Sequence, residues 1–111
     1  MGVTRKELFT DRQNELARIG KVLGHPARIA ILQYLAETKA CINSDLVDEL
    51  GLAQATISQH LRELKEAGLV QGTIEGVSVN YCIHPKRWNE VKSLLNDLFD
   101  EYPVETPEDC C

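Results

Sequence analysis

The 111-residue chain has few aromatic residues, no long apolar run and no excess of basic residues. Aromatic side chains make up 5% of the sequence, so aliphatic side chains must supply most of the core. No apolar run approaches the ~20 residues that cross a bilayer, and the polar N-terminus lacks the apolar stretch of a signal peptide. These absences argue against a membrane partner and predict one globular domain in the cytoplasm.

The four cysteines do not form a zinc ribbon or a thioredoxin-type motif, because no Cys-x-x-Cys occurs. Cys41 and Cys82 lie inside the chain, whereas Cys110 and Cys111 are its last two residues. Cysteines of cytoplasmic proteins are normally reduced. We therefore expect four free thiols and no disulfide framework.

Helical periodicity accounts for most of the chain. The sequence from Thr4 to Glu7 is a capping box, which predicts the start of a first helix that runs to about Leu23. His25 precedes Pro26, a residue type favoured at the first helical position, so we expect His25 to cap or pack against a second helix. Further helices are predicted at residues 45–50, from about 54 to 67, and at 85–101.

Two of these helices and the segment after them form a motif. A short helix, a tight glycine-containing turn and a longer helix make a helix-turn-helix. The longer helix carries an apolar stripe of Ile57, Leu61 and Leu64, and Gly68 is placed to end it. Apolar and polar residues then alternate up to Ile83, which predicts a β-hairpin.

The predicted fold class is mainly α with a β-hairpin, a winged helix-turn-helix of five helices plus the wing. The domain is expected to span residues 1–102, followed by an acidic tail, residues 103–111, that ends in Cys110 and Cys111. The first and last helices carry more apolar side chains than a three-helix core can cover. A homodimer joined through these two helices explains that excess.

The helix from 54 to 67 has a polar face suited to nucleic acid. Glutamine can bind adenine through two hydrogen bonds, arginine can bind guanine, and serine or threonine can bind bases or phosphates. The same residue types occur on ordinary solvated helices, but the position in the second helix of a helix-turn-helix favours DNA contact. The predicted DNA-binding residues are Gln54, Thr56, Ser58, Gln59, His60 and Arg62.

The net charge of −5 does not exclude a DNA partner, because the acidic residues are unevenly distributed. Residues 86–111 hold three basic and seven acidic residues, whereas residues 54–62 contain Arg62 and no acidic residue. The negative charge therefore belongs mainly to the last helix and the tail. We expect weak non-specific binding to DNA.

The chain closely resembles the ArsR/SmtB family of bacterial winged-helix metalloregulators in two segments, Leu23-Gly-His-Pro-Ala-Arg-Ile-Ala-Ile-Leu32 and Leu50-Gly-Leu-Ala-Gln-Ala-Thr-Ile-Ser-Gln-His-Leu-Arg-Glu-Leu64. The resemblance covers roughly residues 15–100. It implies a homodimeric transcriptional repressor, not an enzyme, that binds double-stranded operator DNA and is released by a metal or metalloid. One departure is Ala53, where the family usually has a helix-capping serine.

The resemblance also suggests a sensing site. Many arsenic, cadmium and lead sensors of this family place two cysteines in a Leu-Cys-Val-Cys-Asp-Leu motif before the recognition helix. This chain reads Ala40-Cys-Ile-Asn-Ser-Asp-Leu46, so Cys41 matches the first ligand and Asn43 replaces the second. As(III) takes three thiolates, and the tail after Pro103 can reach ~27 Å back. The predicted inducer is As(III) or another thiophilic ion, with the metal ligands Cys41, Cys110 and Cys111.

Other interpretations stay open. Cys41 can be a small buried residue beside an inert tail, and Cys82 can be a packing residue or a third thiolate. The zinc site that other family members build on the last helix is absent, because residues 85–101 contain no histidine. Alternative functions are a repressor that senses thiol oxidation or persulfide without metal, and a winged-helix protein-interaction module. A thiol redox enzyme is disfavoured, because no cysteine lies in a glycine-rich, phosphate-binding loop.

Overall fold

The computed structural model of the chain describes residues 6–39, 41, 50–75 and 78–103. Within these ranges, a 3-10 turn at Lys6–Leu8 precedes four α-helices and a two-stranded hairpin. No helix in the described ranges is long and apolar enough to cross a bilayer. In chain order the elements are α1 (Asp11–Leu23), α2 (Pro26–Thr38), α3 (Gln54–Glu66), β1 (Val70–Glu75), β2 (Ser78–Ile83) and α4 (Pro85–Asp100).

This order confirms a mainly helical winged helix-turn-helix. The two strands are antiparallel, with Val70 opposite Ile83 and Glu75 opposite Ser78. The short helix predicted at residues 45–50 lies outside the described residues, apart from Leu50. The described part of the chain therefore contains four of the five helices that the sequence predicts.

The start of α1 differs from the prediction. The helix begins at Asp11, where the Gln13 N–H donates to the Thr10 hydroxyl and the Thr10 N–H donates to the Gln13 side chain, both at 3.0 Å. Thr10 and Gln13 are a second capping-box pair, closer to the apolar stripe than the pair at Thr4 and Glu7. One helix from Thr4 to Leu23 is therefore wrong in its first part, although Thr4 itself lies outside the described residues.

The start of α2 follows the prediction. Pro26 occupies the first turn, and Nδ1 of His25 accepts a hydrogen bond from the Ala27 N–H at 3.1 Å. A side-chain acceptor at this position satisfies one of the free N–H groups at the helix start. His25 is thus a capping residue.

Aliphatic side chains from all four helices and the hairpin meet around α3. Ile57, Leu61 and Leu64 line one face of α3, and none of them is more than 2% exposed. Their spacing of four and three residues places them above one another on a helix. The rest of the core consists of Ile19 and Val22 of α1, Ile31, Leu32 and Leu35 of α2, Ala67, Leu69, Val70, Tyr81, and Val91 of α4.

Gly68 ends α3 as the sequence predicts. Its φ of +86° lies in the left-handed region that favours glycine. The Gly68 N–H donates to the Lys65 carbonyl at 2.9 Å, and the Leu69 N–H donates to the Leu64 carbonyl at 3.0 Å. These two bonds define a Schellman motif, which turns the chain from α3 into β1.

Gly72 allows the wing to pack tightly. It adopts a φ of +130°, and a Cβ atom here would collide with the carbonyl oxygen of Asn80 and lie 2.7 Å from Cα of Tyr81. The Gly72 carbonyl accepts a hydrogen bond from Nζ of Lys65 at 2.6 Å, which connects β1 to the end of α3. A larger residue would separate the two strands.

His60 is buried where α3 meets the start of α2. Its Nδ1 accepts a hydrogen bond from Nε of Arg28 at 3.1 Å, and its ring centroid lies 4.4 Å from that of His25. Arg28 also donates to the Val22 carbonyl at 3.1 Å, so the network joins α1, α2 and α3. Burial, and then the charges of His25 and Arg28, lower the pKa of His60, while Glu63 opposes this shift.

Replacing Gly72 with alanine should destabilise the domain by about 1–3 kcal/mol, because the added methyl group collides with β2. Urea denaturation followed by circular dichroism measures the loss. Gly20→Ala is the matched control, since a Cβ atom at this position in α1 meets nothing within 4 Å. The control should raise stability by about 0.5–1 kcal/mol through helix propensity. Losses of similar size in both variants would contradict the role of Gly72.

Acidification below about pH 6.5 should destabilise the wild-type chain more than a His60→Gln variant. The unfolded chain takes up a proton at the ordinary histidine pKa, whereas the folded chain does so only at lower pH. The stability that the neutral buried ring contributes is therefore complete above about pH 6.5 and is lost as the pH falls. Glutamine keeps an acceptor for Arg28 but does not titrate. The measurement is the unfolding free energy of both proteins as the pH is lowered from neutral. The same dependence on pH in the wild type and in His60→Gln would contradict the role of His60.

Candidate nucleic-acid interface

The outer face of α3 is polar because its inner face is used by the core. Thr56, Gln59 and Arg62 are exposed, and Gln54 is half-buried. Gln59 Nε2 donates to a carboxylate oxygen of Glu63 at 3.2 Å, a bond that lies along the exposed surface. We call these four polar side chains of α3 the reading face (Gln54, Thr56, Gln59, Arg62).

Ser58 and His60 do not belong to this face. Ser58 is 4% exposed and His60 is 8% exposed, so the prediction that they share the exposed face is wrong. Successive helical residues turn by ~100°, which places Ser58 beside Leu61 on one flank of the apolar stripe and His60 beside Leu64 on the other. Ser58 Oγ accepts a hydrogen bond from Gln54 Nε2 at 3.1 Å, and His60 is held by the arginine described above.

The first turn of α3 has the electrostatics of a phosphate-facing helix start. No side chain of Ala53 caps it, which agrees with the departure noted in the sequence, and no acidic residue lies in the first turn. The positive end of a helix dipole favours an anion at this position, and an acidic side chain there would repel one. Arg62, further along the reading face, adds a full positive charge.

Cys41 and Cys82 are joined by a disulfide bond, with their Cα atoms 4.3 Å apart. Cys41 is exposed and follows the end of α2 by three residues, while Cys82 is half-buried in β2. Because β2 packs against α2, the fold brings these two residues together across 41 positions of sequence. The prediction of four free thiols is therefore wrong for this pair.

The predicted metal ligands are only partly visible. Cys41 is described and bonded to Cys82, whereas Cys110 and Cys111 lie outside the described residues. Within the described ranges, no group of three or more His, Cys, Asp or Glu side chains is placed to hold a metal ion. The three-thiolate site stays a prediction, and Cys82 is a site candidate to which sequence reasoning gave little weight.

Comparison with known proteins places this geometry in a family. Residues 25–71 match the family described as "Bacterial regulatory protein, arsR family". An HTH-type transcriptional regulator of Methanocaldococcus jannaschii is 38% identical over 88 residues, which are 79% of this chain and 99% of that protein. The HTH-type transcriptional repressor SmtB of Mycobacterium tuberculosis is 44% identical over 71 residues, 64% of this chain and 50% of that protein.

A solved structure shows the same fold. An ArsR-like transcriptional regulator from Rhodococcus sp. RHA1 superposes with a TM-score of 0.64 at 24% identity, over 83% of this chain and 86% of that one. The described helices and wing agree with the HTH-type regulators that the matched names describe. The chain therefore belongs to the ArsR family and is a DNA-binding transcriptional repressor of the ArsR/SmtB type rather than an enzyme.

Proposed function

We propose that the protein represses transcription as a homodimer that inserts the reading face of each α3 into the major groove of an operator. The observation that carries this proposal is the division of α3 into a fully buried apolar face and an exposed face of amide, hydroxyl and guanidinium groups. A helix fits a major groove ~12 Å wide, and these groups match the base edges found there. Two such helices one helical turn apart, ~34 Å, would read a pseudo-palindromic site.

Exposed apolar side chains support the homodimer. Leu8 and Phe9 lie just before α1, and Phe99 and Tyr102 lie at the end of α4, with Phe99 69% exposed. An open, mostly apolar cavity of about 360 Å³ lies beside Trp88 of α4. A single chain leaves these side chains in water, whereas a second copy packed on α1 and α4 would bury them.

Arg62→Ala should weaken operator binding roughly 5- to 150-fold, the cost of one lost bidentate contact to guanine. The operator can be obtained by selecting a random pool of duplexes with the wild-type protein, and affinity follows from fluorescence anisotropy. Loss of preference at one base pair supports a base contact by Arg62. An equal loss of affinity on all sequences indicates instead that Arg62 contacts a phosphate. In that case the slope of log affinity against log salt concentration should also become smaller by about 1.

Lys86→Ala is the matched control for Arg62→Ala. It also removes one exposed positive charge, but Lys86 lies in α4 and outside the reading face. The control should keep the wild-type affinity and base preference. Unchanged binding by Arg62→Ala would contradict the proposed orientation of α3, and the absence of any selected duplex would contradict DNA binding as a whole.

We further propose As(III), or another thiophilic ion, as the inducer, held by Cys41 with Cys110 and Cys111. Cys41 is exposed, which allows the tail to approach its sulfur atom. Thiolates, not disulfides, bind soft metal ions. The proposal therefore concerns the reduced protein, in which the Cys41–Cys82 bond is open.

The second candidate inducer is thiol oxidation, which the Cys41–Cys82 bond favours. Hydrogen peroxide would take two electrons and two protons from the two thiols, leaving the disulfide and two water molecules; an alkyl hydroperoxide would leave the disulfide, one alcohol and one water molecule. The bond would then fix the chain after α2 to the wing strand β2 and change how α3 and the wing fit DNA. Oxidation requires Cys82, whereas As(III) binding by Cys41, Cys110 and Cys111 does not. A Cys82 variant therefore distinguishes the two candidate inducers.

Arsenite and peroxide titrations of the reduced protein on its operator should distinguish the two inducers, with a release of about 5- to 150-fold in affinity. If As(III) is the inducer, Cys41→Ser and the double variant Cys110→Ser/Cys111→Ser lose the arsenite response, while Cys82→Ser keeps it. If oxidation is the inducer, Cys41→Ser and Cys82→Ser both lose the peroxide response, and the tail variant keeps it. A wild-type affinity that neither reagent changes would contradict both.

A further inference from the structure

Two arginines from different helices bind the last carbonyl groups of α3. Nη2 of Arg18, in α1, donates to the Glu66 carbonyl at 2.8 Å, and Nε of Arg87, in α4, donates to the Ala67 carbonyl at 3.1 Å. The last carbonyls of a helix have no partner within the helix and carry its negative dipole end. Positively charged donors are therefore well suited to hold them.

Arg87 is itself fixed from several sides. Its Nη2 forms an ion pair with Glu15 of α1, and its Nη1 lies 3.4 Å from Oε1 of Glu90. The Arg87 side chain is 20% exposed and that of Glu15 is 31% exposed, so their ion pair is partly shielded from water. The hydrogen bond with Glu15 holds the pKa of Arg87 above its ordinary value, so the guanidinium stays charged. One side chain thus joins α1, α4 and the end of α3.

The end of α3 is shaped to admit Arg87. A Cβ atom at Gly68 would lie 2.9 Å from Cγ of Arg87, so the missing side chain leaves the space that the arginine stem fills. The same glycine makes the left-handed turn that ends α3. Its two roles place the helix terminus and the guanidinium in contact.

We propose that Arg87, assisted by Arg18, is a positioning residue that sets the direction of α3 relative to α1 and α4. This inference rests on the proposed homodimer, in which α1 and α4 form the interface. The planar guanidinium matches a carbonyl and a carboxylate at once, which a lysine ammonium on a flexible stem does not. Arg87 thereby fixes the separation and angle of the two reading faces, while each reading face keeps its own contacts to DNA.

The test compares a full operator with one of its half-sites. The operator is the duplex selected by the wild-type protein, and the half-site is one arm of that duplex flanked by unrelated sequence. Arg87→Ala should lower the affinity for the full operator by about 10- to 100-fold and the affinity for the half-site by less than about 3-fold. Arg87→Lys should lose nearly as much on the full operator, because it keeps the charge but not the planar fork.

Three further variants complete the test. Glu15→Gln removes the carboxylate that orients Arg87. It should lower the affinity for the full operator by about 3- to 10-fold and leave the affinity for the half-site almost unchanged. Arg18→Ala should act in the same direction through Glu66. Lys86→Ala removes an adjacent exposed charge and should bind both duplexes like the wild type. Thermal unfolding of each variant shows whether the fold persists.

Each outcome bears on the inference. A selective loss on the full operator supports the positioning role. Equal losses of affinity on the two duplexes indicate that Arg87 serves general stability, and they overturn the positioning role. Wild-type affinity of both Arg87→Ala and Glu15→Gln for the full operator also overturns it. If the wild type selects no duplex, the proposed function fails and the positioning role falls with it. If the wild type binds as a monomer with no full-site advantage, only the positioning role is overturned.

Discussion

Burial of one face of α3 is the constraint on which the rest of the structure depends. Ile57, Leu61 and Leu64 are almost fully removed from water, and side chains of the other elements pack around them. Three side chains of this size contribute about 1.5–3 kcal/mol each through burial. Rotating α3 to hide its polar face would expose all three. Core packing therefore decides which side of α3 faces the solvent.

Much of the fold could be predicted because it follows local periodicity. The spacing of Ile57, Leu61 and Leu64 predicts α3, Gly68 predicts its end, and the alternation before Ile83 predicts the hairpin. The start of α1 was missed because two capping boxes compete, and local sequence does not decide between them. The structure chooses Thr10, whose box directly precedes the buried stripe.

The site was harder to predict because burial of a polar residue depends on partners far away in sequence. Ser58 and His60 look like surface residues in a list of polar positions, but His60 is satisfied by Arg28, which is 32 residues away. Cys82 presented the same difficulty, since alternation alone places it on a polar strand face and its partner is 41 residues away. Arg87 gave no signal at all, because its acceptors include the Ala67 carbonyl, 20 residues away, and the Glu15 carboxylate, 72 residues away.

The Cys41–Cys82 bond has a topological consequence. It closes a loop that contains α3, β1 and most of β2, while α1, α2 and α4 lie outside it. Closing a loop of this length removes unfolded-chain entropy worth about 4 kcal/mol in the chain-entropy description. The cross-link therefore constrains the part of the chain that contains α3 and the hairpin, and not α1, α2 or α4, which lie outside the closed loop.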